Sequence, residues 1–306
     1  MVRKTKKNRK TNRKTKKNRK NIIKLNKSTK LNNKFKKLNC SPSKKLNFTC
    51  YSPNSLIKLK EEWNKDNKHQ KIHSNDPYII WSTLKQYLEK TCHNEKCWLS
   101  QKFISDNLDK NLTKYTFAPN APVTWKKNPN EWLNSVDIVN VMQQYEKQYP
   151  NFKFIGPSPI DFDKKKMFGQ CVWNDLCHFS LHNYLNKGIN KIGIILNTDP
   201  HYLSGAHWIC IFINLKKKFI YYFDSNADST PKQVKTFITK VKKQGVNLGI
   251  NLEEFTNKTE HQRSDTECGM YVLYIIITLI KTNSYPHFTE RIPDKDMENL
   301  RKVFFN

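Results

Sequence analysis

The sequence predicts a mixed α+β fold in which a central sheet is flanked by helices, preceded by a helical N-terminal extension and a basic tail. Three observations carry this reading. Three runs rich in β-branched and aromatic residues follow one another: KIGIILN at 191–197, HWICIFIN at 207–214 and FIYYFDS at 219–225. Stretches with apolar residues at helical spacing stand on both sides of them. Residues 1–50 hold 20 Lys or Arg and no Asp or Glu; of the net charge of +29 this leaves 29 − 20 = +9 for the remaining chain of 306 residues.

From the N-terminus, KTKKNRK at 4–10 recurs at 14–20. A segment of Lys, Arg, Asn and Thr cannot collapse onto a core and repels itself, so residues 1–51 are expected to be a disordered polybasic tail. Residues 55–71 and 78–90 carry apolar positions at helical spacing, with Ile79, Leu84, Tyr87 and Leu88 near one face of the second helix. A third short helix is expected over 100–108, completing a helical subdomain at 52–114. Pro119, Pro122 and Pro129 make 117–130 an irregular connector.

The third expected domain is 115–306. In WLNSVDIVNVMQQYEKQYP, Asn134 or Ser135 can cap a helix whose Ile138, Met142, Tyr145 and Tyr149 form an apolar stripe, ended by Pro150. A strand at 152–155 and an amphipathic helix at 174–186, closed by Gly188, come next. The three strand-like runs follow, the last two joined by LKKK tightly enough for an antiparallel hairpin. A helix started by Pro231, a strand near 250–255, a buried helix at 268–280 and a terminal helix at 294–304 complete the order.

The longest apolar stretch, Met270 to Ile280, falls short of the roughly 20 residues that cross a membrane, so no membrane span is expected. The polybasic start lacks the apolar segment of a secretory signal. Eight cysteines in a chain of this length are too few for a disulfide scaffold, and free thiols in a reducing compartment are expected.

Cys268 stands where a polar loop, HQRSDTE, meets the apolar run GMYVLYIII. A thiol at a helix start faces unpaired backbone N–H groups and the positive end of the helix dipole, which favour a thiolate nucleophile. Gly269 beside it would let a substrate backbone come close. His207 opens one strand of the hairpin and Asp224 ends the other, so pairing of the strands brings the two into reach as base and orienting group. Gln262, six residues before Cys268, can donate to a developing oxyanion together with the Cys268 backbone N–H.

The ordered set His207-Trp208, Asp224 in YYFDS, Gln262, then Cys268-Gly269 resembles the Ulp1 and adenain superfamily of cysteine proteases. Trp132-Leu133-Asn134 is similar to a motif of that family, so the resemblance covers about residues 115–305. HQRSDTECG and SYPHFTERIPDKDM are closest to the polyprotein-processing branch of large DNA viruses, of the African swine fever virus type. The viral enzyme resembled has Asn where this chain has Asp224, as cellular members do. The resemblance implies a papain-like fold and a thiol protease with catalytic His207, Asp224 and Cys268, Gln262 in the oxyanion hole, and Trp208 and Gly269 lining the substrate site. It further implies cleavage after Gly-Gly of viral core or capsid precursors, in the virion and the host cytoplasm. No cofactor or metal is required, with DNA or a peptide as an activator by analogy alone. The alternatives are a SUMO or ubiquitin-like isopeptidase, and an inactive nucleic-acid-binding virion protein.

Residues 1–50 suit a polyanion such as nucleic acid, with affinity falling steeply in salt. Cys92 and Cys97, with His69 and His73 upstream, are too loosely spaced for a zinc site and are read as a structural pair. Cys171 and Cys177, beside His178 and His182, lack the glutamate of HExxH.

Overall fold

A computed structural model describes residues 35–42, 45–104, 110–282 and 288–306. Two compact units divide it: Leu46–Asp109 with the residues up to Leu38, and Asn39–Lys45 with Lys110–Asn306. The expected tail therefore needs correction over its last third, because Tyr51 is fully buried. Asn39, in the catalytic unit, donates to the carbonyls of Lys302 and Phe305 and takes a bond from Asn306 Nδ2. Side-chain amides supply the order there, where apolar patterning is absent. The disorder expected for residues 1–34 lies outside the described residues.

In the first unit, helix α1 (Pro53–Asp66) is capped by Ser52, and α2 (Pro77–Leu88) by Asp76. The α2 face that packs is Ile80, Leu84 and Leu88, so Leu84 and Leu88 stand as expected, while Ile80 replaces the exposed Ile79 and Tyr87 is partly exposed, its ring stacked on Trp63. Near Ser100 the expected helix gives way to a 3-10 helix, Glu95–Ser100, that ends there, while 105–109 lie outside the described residues. Cys92 and Cys97 form a disulfide, with Cα atoms 5.5 Å apart. Cys171 and Cys177 in the second unit form another, their Cα atoms 6.2 Å apart. Cys40 and Cys50 are disulfide-bonded as well, so the expectation of free thiols is corrected for six cysteines, while the structural pair read at Cys92 and Cys97 is the one found. In the two pairs described, short turns bring the cysteines within bridging range.

The second unit begins with α3 (Lys110–Tyr115) and then α4 (Ser135–Gln148), whose Asn134 cap and Asp137 form a reciprocal capping box. A five-stranded sheet follows, with strands in sequence order: β1 (Phe152–Pro159), β2 (Lys191–Asn197), β3 (Trp208–Asn214), β4 (Phe219–Phe223) and β5 (Glu253–Thr256). The central pairs β2/β3 and β3/β4 are antiparallel; the outer pairs β1/β2 and β4/β5 are parallel. Both faces are covered, which is why the central strands read as unbroken apolar runs. Along β3, Trp208, Cys210 and Phe212 face one core while Ile209, Ile211 and Ile213 face the other.

On the first face lies α8 (Cys268–Lys281), with eleven buried residues. It can sit this close because Gly193 on β2 has no side chain: a Cβ there would meet Ile276 at 3.0 Å. On the second face lie α7 (Lys232–Asn247) and the pair α5 (Asn174–Cys177) and α6 (Leu181–Asn186). One helix was expected over 174–186. It breaks at Phe179 because Gln244 of α7 takes the Phe179 carbonyl and the Leu181 N–H, while Ser180 caps the second piece. The chain ends in α9 (Asp294–Phe304), packed on α8. Among the described residues no helix is long and apolar enough to cross a membrane.

Candidate active site

The ladder between β3 and β4 stops at the Cys210–Phe223 pair, which leaves His207 and Asp224 just outside the strands, at one end of the hairpin. There His207 Nε2 lies 2.8 Å from Asp224 Oδ1. Cys268 acts on the same ring, being with Asp224 one of the two groups that raise the His207 pKa. Burial alone would lower the His207 pKa. The bonds to Asp224 and Cys268 and the charges of both partners more than reverse that, pushing it up to about 10. His207 is therefore an imidazolium at neutral pH.

Two short connections hold Asp224 in place. Its N–H donates to Asn257 Oδ1 and its carbonyl accepts from Asn257 Nδ2, at 2.9 and 2.8 Å. Its Oδ1 also accepts from the Asn226 N–H at 2.9 Å. Ser225, fully buried, carries the arrangement to Gln262. The Ser225 hydroxyl donates to Gln262 Oε1 at 2.8 Å, and the Ser225 carbonyl accepts from the N–H groups of His261 and Gln262. Gln262 Nε2 gives one hydrogen to the Ser264 carbonyl at 2.5 Å. Among the described residues its second hydrogen has no partner, as an oxyanion donor requires.

Cys268 is the first residue of α8, so its backbone N–H has no acceptor within the helix. Its side chain is buried, as is that of Cys210, the other free cysteine among the described residues. Gly269 has a packing basis beside the one expected: a Cβ there would lie 2.8 Å from the Cβ of Leu133, so the glycine admits Leu133. The Leu133 carbonyl in turn accepts from Trp208 Nε1 at 2.9 Å. Trp208 thus stands as a fixed wall. Beside it opens a cleft of about 480 Å³ bounded by Trp132 to Ser135, Pro157 to Pro159, and residues of the loop 197–205.

The structure thus joins His207, Asp224 and Cys268 directly and ties Gln262 to Asp224 through Ser225. Sequence reasoning missed Asn257, Ser225 and Leu133. Ser225 and Leu133 were in view inside YYFDS and WLN; nothing local marks Asn257, which reaches Asp224 only because β5 lies parallel to β4. The cluster Cys171, Cys177 and His178 brings its ligand atoms within 4.8 Å of one another, but the two sulfurs are joined as a disulfide and Lys165 Nζ lies 3.0 Å from Cys171 Sγ. His182 turns instead toward Asn186.

Residues 181–306 match the Ulp1 protease family, C-terminal catalytic domain. This stretch is a Ulp1-type cysteine protease domain. Over 289 residues, 87% of this chain and 92% of the relative, the protein is 27% identical to one named as a thiol protease of Acanthamoeba polyphaga mimivirus. Over 247 residues, 74% and 89% of the two chains, it is 27% identical to a cysteine protease of African swine fever virus. The crystal structure of the African swine fever virus protease superposes on 88% of this chain and 95% of its own, with a TM-score of 0.60 at 22% identity, and so has the same fold. The family and the Ulp1-like α+β fold expected from the sequence are those found.

Proposed function

We propose that this Ulp1-type protease cleaves viral structural precursors after Gly-Gly during virion assembly, with Cys268 as nucleophile. The observation that carries the site is His207 bonded to Asp224, with Cys268 near enough to act on the same ring. The Cys268 proton has passed to His207, which stands as the imidazolium, and the sulfur attacks the scissile carbonyl. The oxyanion that forms is met by the Cys268 backbone N–H and the second hydrogen of Gln262 Nε2. His207 then protonates the leaving amine, and water, with His207 as base, hydrolyses the thioester. Asp224 keeps the ring oriented and its charge stabilises the imidazolium.

Glycine before the scissile bond is supported by crowding at the nucleophile. Cys268 is only 2% exposed, so a substrate that reaches it has little room for side chains beside the scissile bond. The viral setting rests on the two viral relatives. Residues 1–34, all basic and none acidic among their charged side chains, add a polyanion-binding segment, with viral nucleic acid as its partner and a candidate activator.

The test incubates wild type and Cys268→Ala with a Gly-Gly-X peptide and with SUMO- and ubiquitin-fused reporters. Peptide cleavage that disappears in Cys268→Ala is expected; cleavage that survives it removes the assignment. Cutting of the fusions alone replaces the precursor reading with an isopeptidase. Deleting residues 1–34 should weaken nucleic-acid binding and leave peptide cleavage unchanged, and equal binding removes the tail's role.

A further inference from the structure

The segment 262–267 carries Gln262 at one end and leads into Cys268 at the other, and is itself neither strand nor helix. What holds it is α9. Asp294, in the first turn of α9, accepts the Arg263 N–H at 3.1 Å and the Tyr271 hydroxyl at 3.1 Å. Arg301 stands seven residues later on the same face, where two helical turns return the side chain to the same direction. It is 4% exposed, and its Nε and Nη2 grip the carboxylate of Glu267, itself fully buried, at 2.9 and 3.0 Å. Nη2 reaches the Thr266 carbonyl at 3.4 Å, and Nη1 donates to the Glu131 carbonyl at 2.8 Å, the residue before the Trp132-Leu133 wall. The guanidinium also lies over Trp125, 4.6 Å from the ring centroid.

We infer that Asp294 and Arg301 are positioning residues that make α9 a splint for the oxyanion site, Arg301 setting the Glu267–Cys268 peptide and Asp294 the Gln262–Arg263 peptide. This rests on the reading of Cys268 and Gln262 given above. The N–H of Cys268 belongs to the peptide of Glu267, so a guanidinium locked on that carboxylate fixes where the oxyanion donor points. A lysine at 301 keeps the charge but not the fork, and cannot serve Glu267, Thr266 and Glu131 together. The splint acts on the tetrahedral intermediate. It does not act on the His207–Cys268 pair, whose geometry comes from the sheet and from α8.

The experiment compares wild type, Arg301→Lys, Glu267→Gln and Asp294→Asn in the full chain, using a Gly-Gly-X peptide, a Gly-Gly aldehyde and iodoacetamide. An aldehyde adduct needs the oxyanion site; alkylation of Cys268 by iodoacetamide forms no oxyanion. Arg301→Lys and Glu267→Gln should lower kcat about 10- to 100-fold, the scale of a misplaced reacting group, with KM changed little. Aldehyde affinity should fall by a similar factor and the alkylation rate stay within about twofold of wild type. Asp294→Asn removes no buried ion pair, so it stays informative if the other two fail to fold. It should show the same pattern at a smaller size. Unchanged kcat in folded variants, a rise in KM alone, or alkylation falling in step with kcat overturns the splint. Cleavage surviving Cys268→Ala defeats the site assignment instead; cleavage abolished there but untouched by the α9 variants defeats only the splint.

Discussion

Asp224→Asn removes one charge from the His207 pair and leaves its shape intact. The accepting atom is Oδ1, which takes both the His207 Nε2–H and the Asn226 N–H, and an asparagine with its oxygen there makes the same two bonds. The rise of His207 from 6.5 to about 10 corresponds to about 5 kcal/mol in favour of imidazolium, net of burial, which opposes it. Losing one of two neighbouring anions should give back roughly 2 units of that rise. The sign follows from a raised pKa: the protonated form persists below it and is lost as pH climbs through it. The alkaline limb of kcat/KM should therefore lie near pH 10 in wild type and about 2 units lower in the variant. At pH 9.5 that shift alone costs on the order of 20- to 30-fold, while at pH 7 the loss stays below about tenfold. A pH series with the Gly-Gly-X peptide reads both limbs. An unmoved alkaline limb, or a loss near 10⁴ at pH 7 as when an imidazole is left misoriented, refutes the reasoning.

Three further outcomes are expected. Asn257→Ala strips Asp224 of the partners of its N–H and C=O; it should cost about 1–3 kcal/mol in urea unfolding and lower kcat more than KM. Gly269→Ala gains helix propensity but drives a Cβ to 2.8 Å from that of Leu133, so a net loss of about 1–3 kcal/mol should appear as a lower thermal midpoint. A midpoint that rises means Leu133 gives way freely. Trp208→Phe leaves the Leu133 carbonyl without its buried donor and should cost about 1–2 kcal/mol, with a raised KM for the peptide as the cleft wall loosens.

The elements most legible in the sequence were those whose pattern is local. The strands at 191–197 and 207–214 and helix α8 read directly because both faces of the sheet are covered, so a buried strand is simply a run of Ile, Phe and Tyr. His207 and Asp224 were placeable because a hairpin with a short turn fixes its own register. Features set by distant partners were not. The break at Phe179 depends on Gln244, some 65 residues away, and the order at Asn39 on the C-terminal residues 302–306. The packing reason for Gly269 was hidden for the same reason: a glycine beside a nucleophile suggests substrate, and only the packing shows Leu133 in the space of a Cβ. The cysteine count argued for free thiols, but bridging depends on the Cα separation of a pair, which composition does not contain.

The functional groups stand at or just beyond the ends of regular structure, and the backbone explains why. His207 precedes β3, Asp224 follows β4, and Cys268 opens α8. Inside a ladder or helix their backbone N–H and C=O groups would be committed. Outside it, the Ser225 carbonyl can take two N–H groups from 261–262, and the Cys268 N–H can stay free for the oxyanion. Such positions lack a ladder to hold them, so each needs side-chain ties: Asn257 for Asp224, the Ser225 hydroxyl for Gln262, Arg301 for Glu267. These ties, lying behind the reacting groups, should respond to substitution in kcat before they respond in KM. That separates them from Trp208 and Leu133, whose place on the cleft wall puts their effects first in KM.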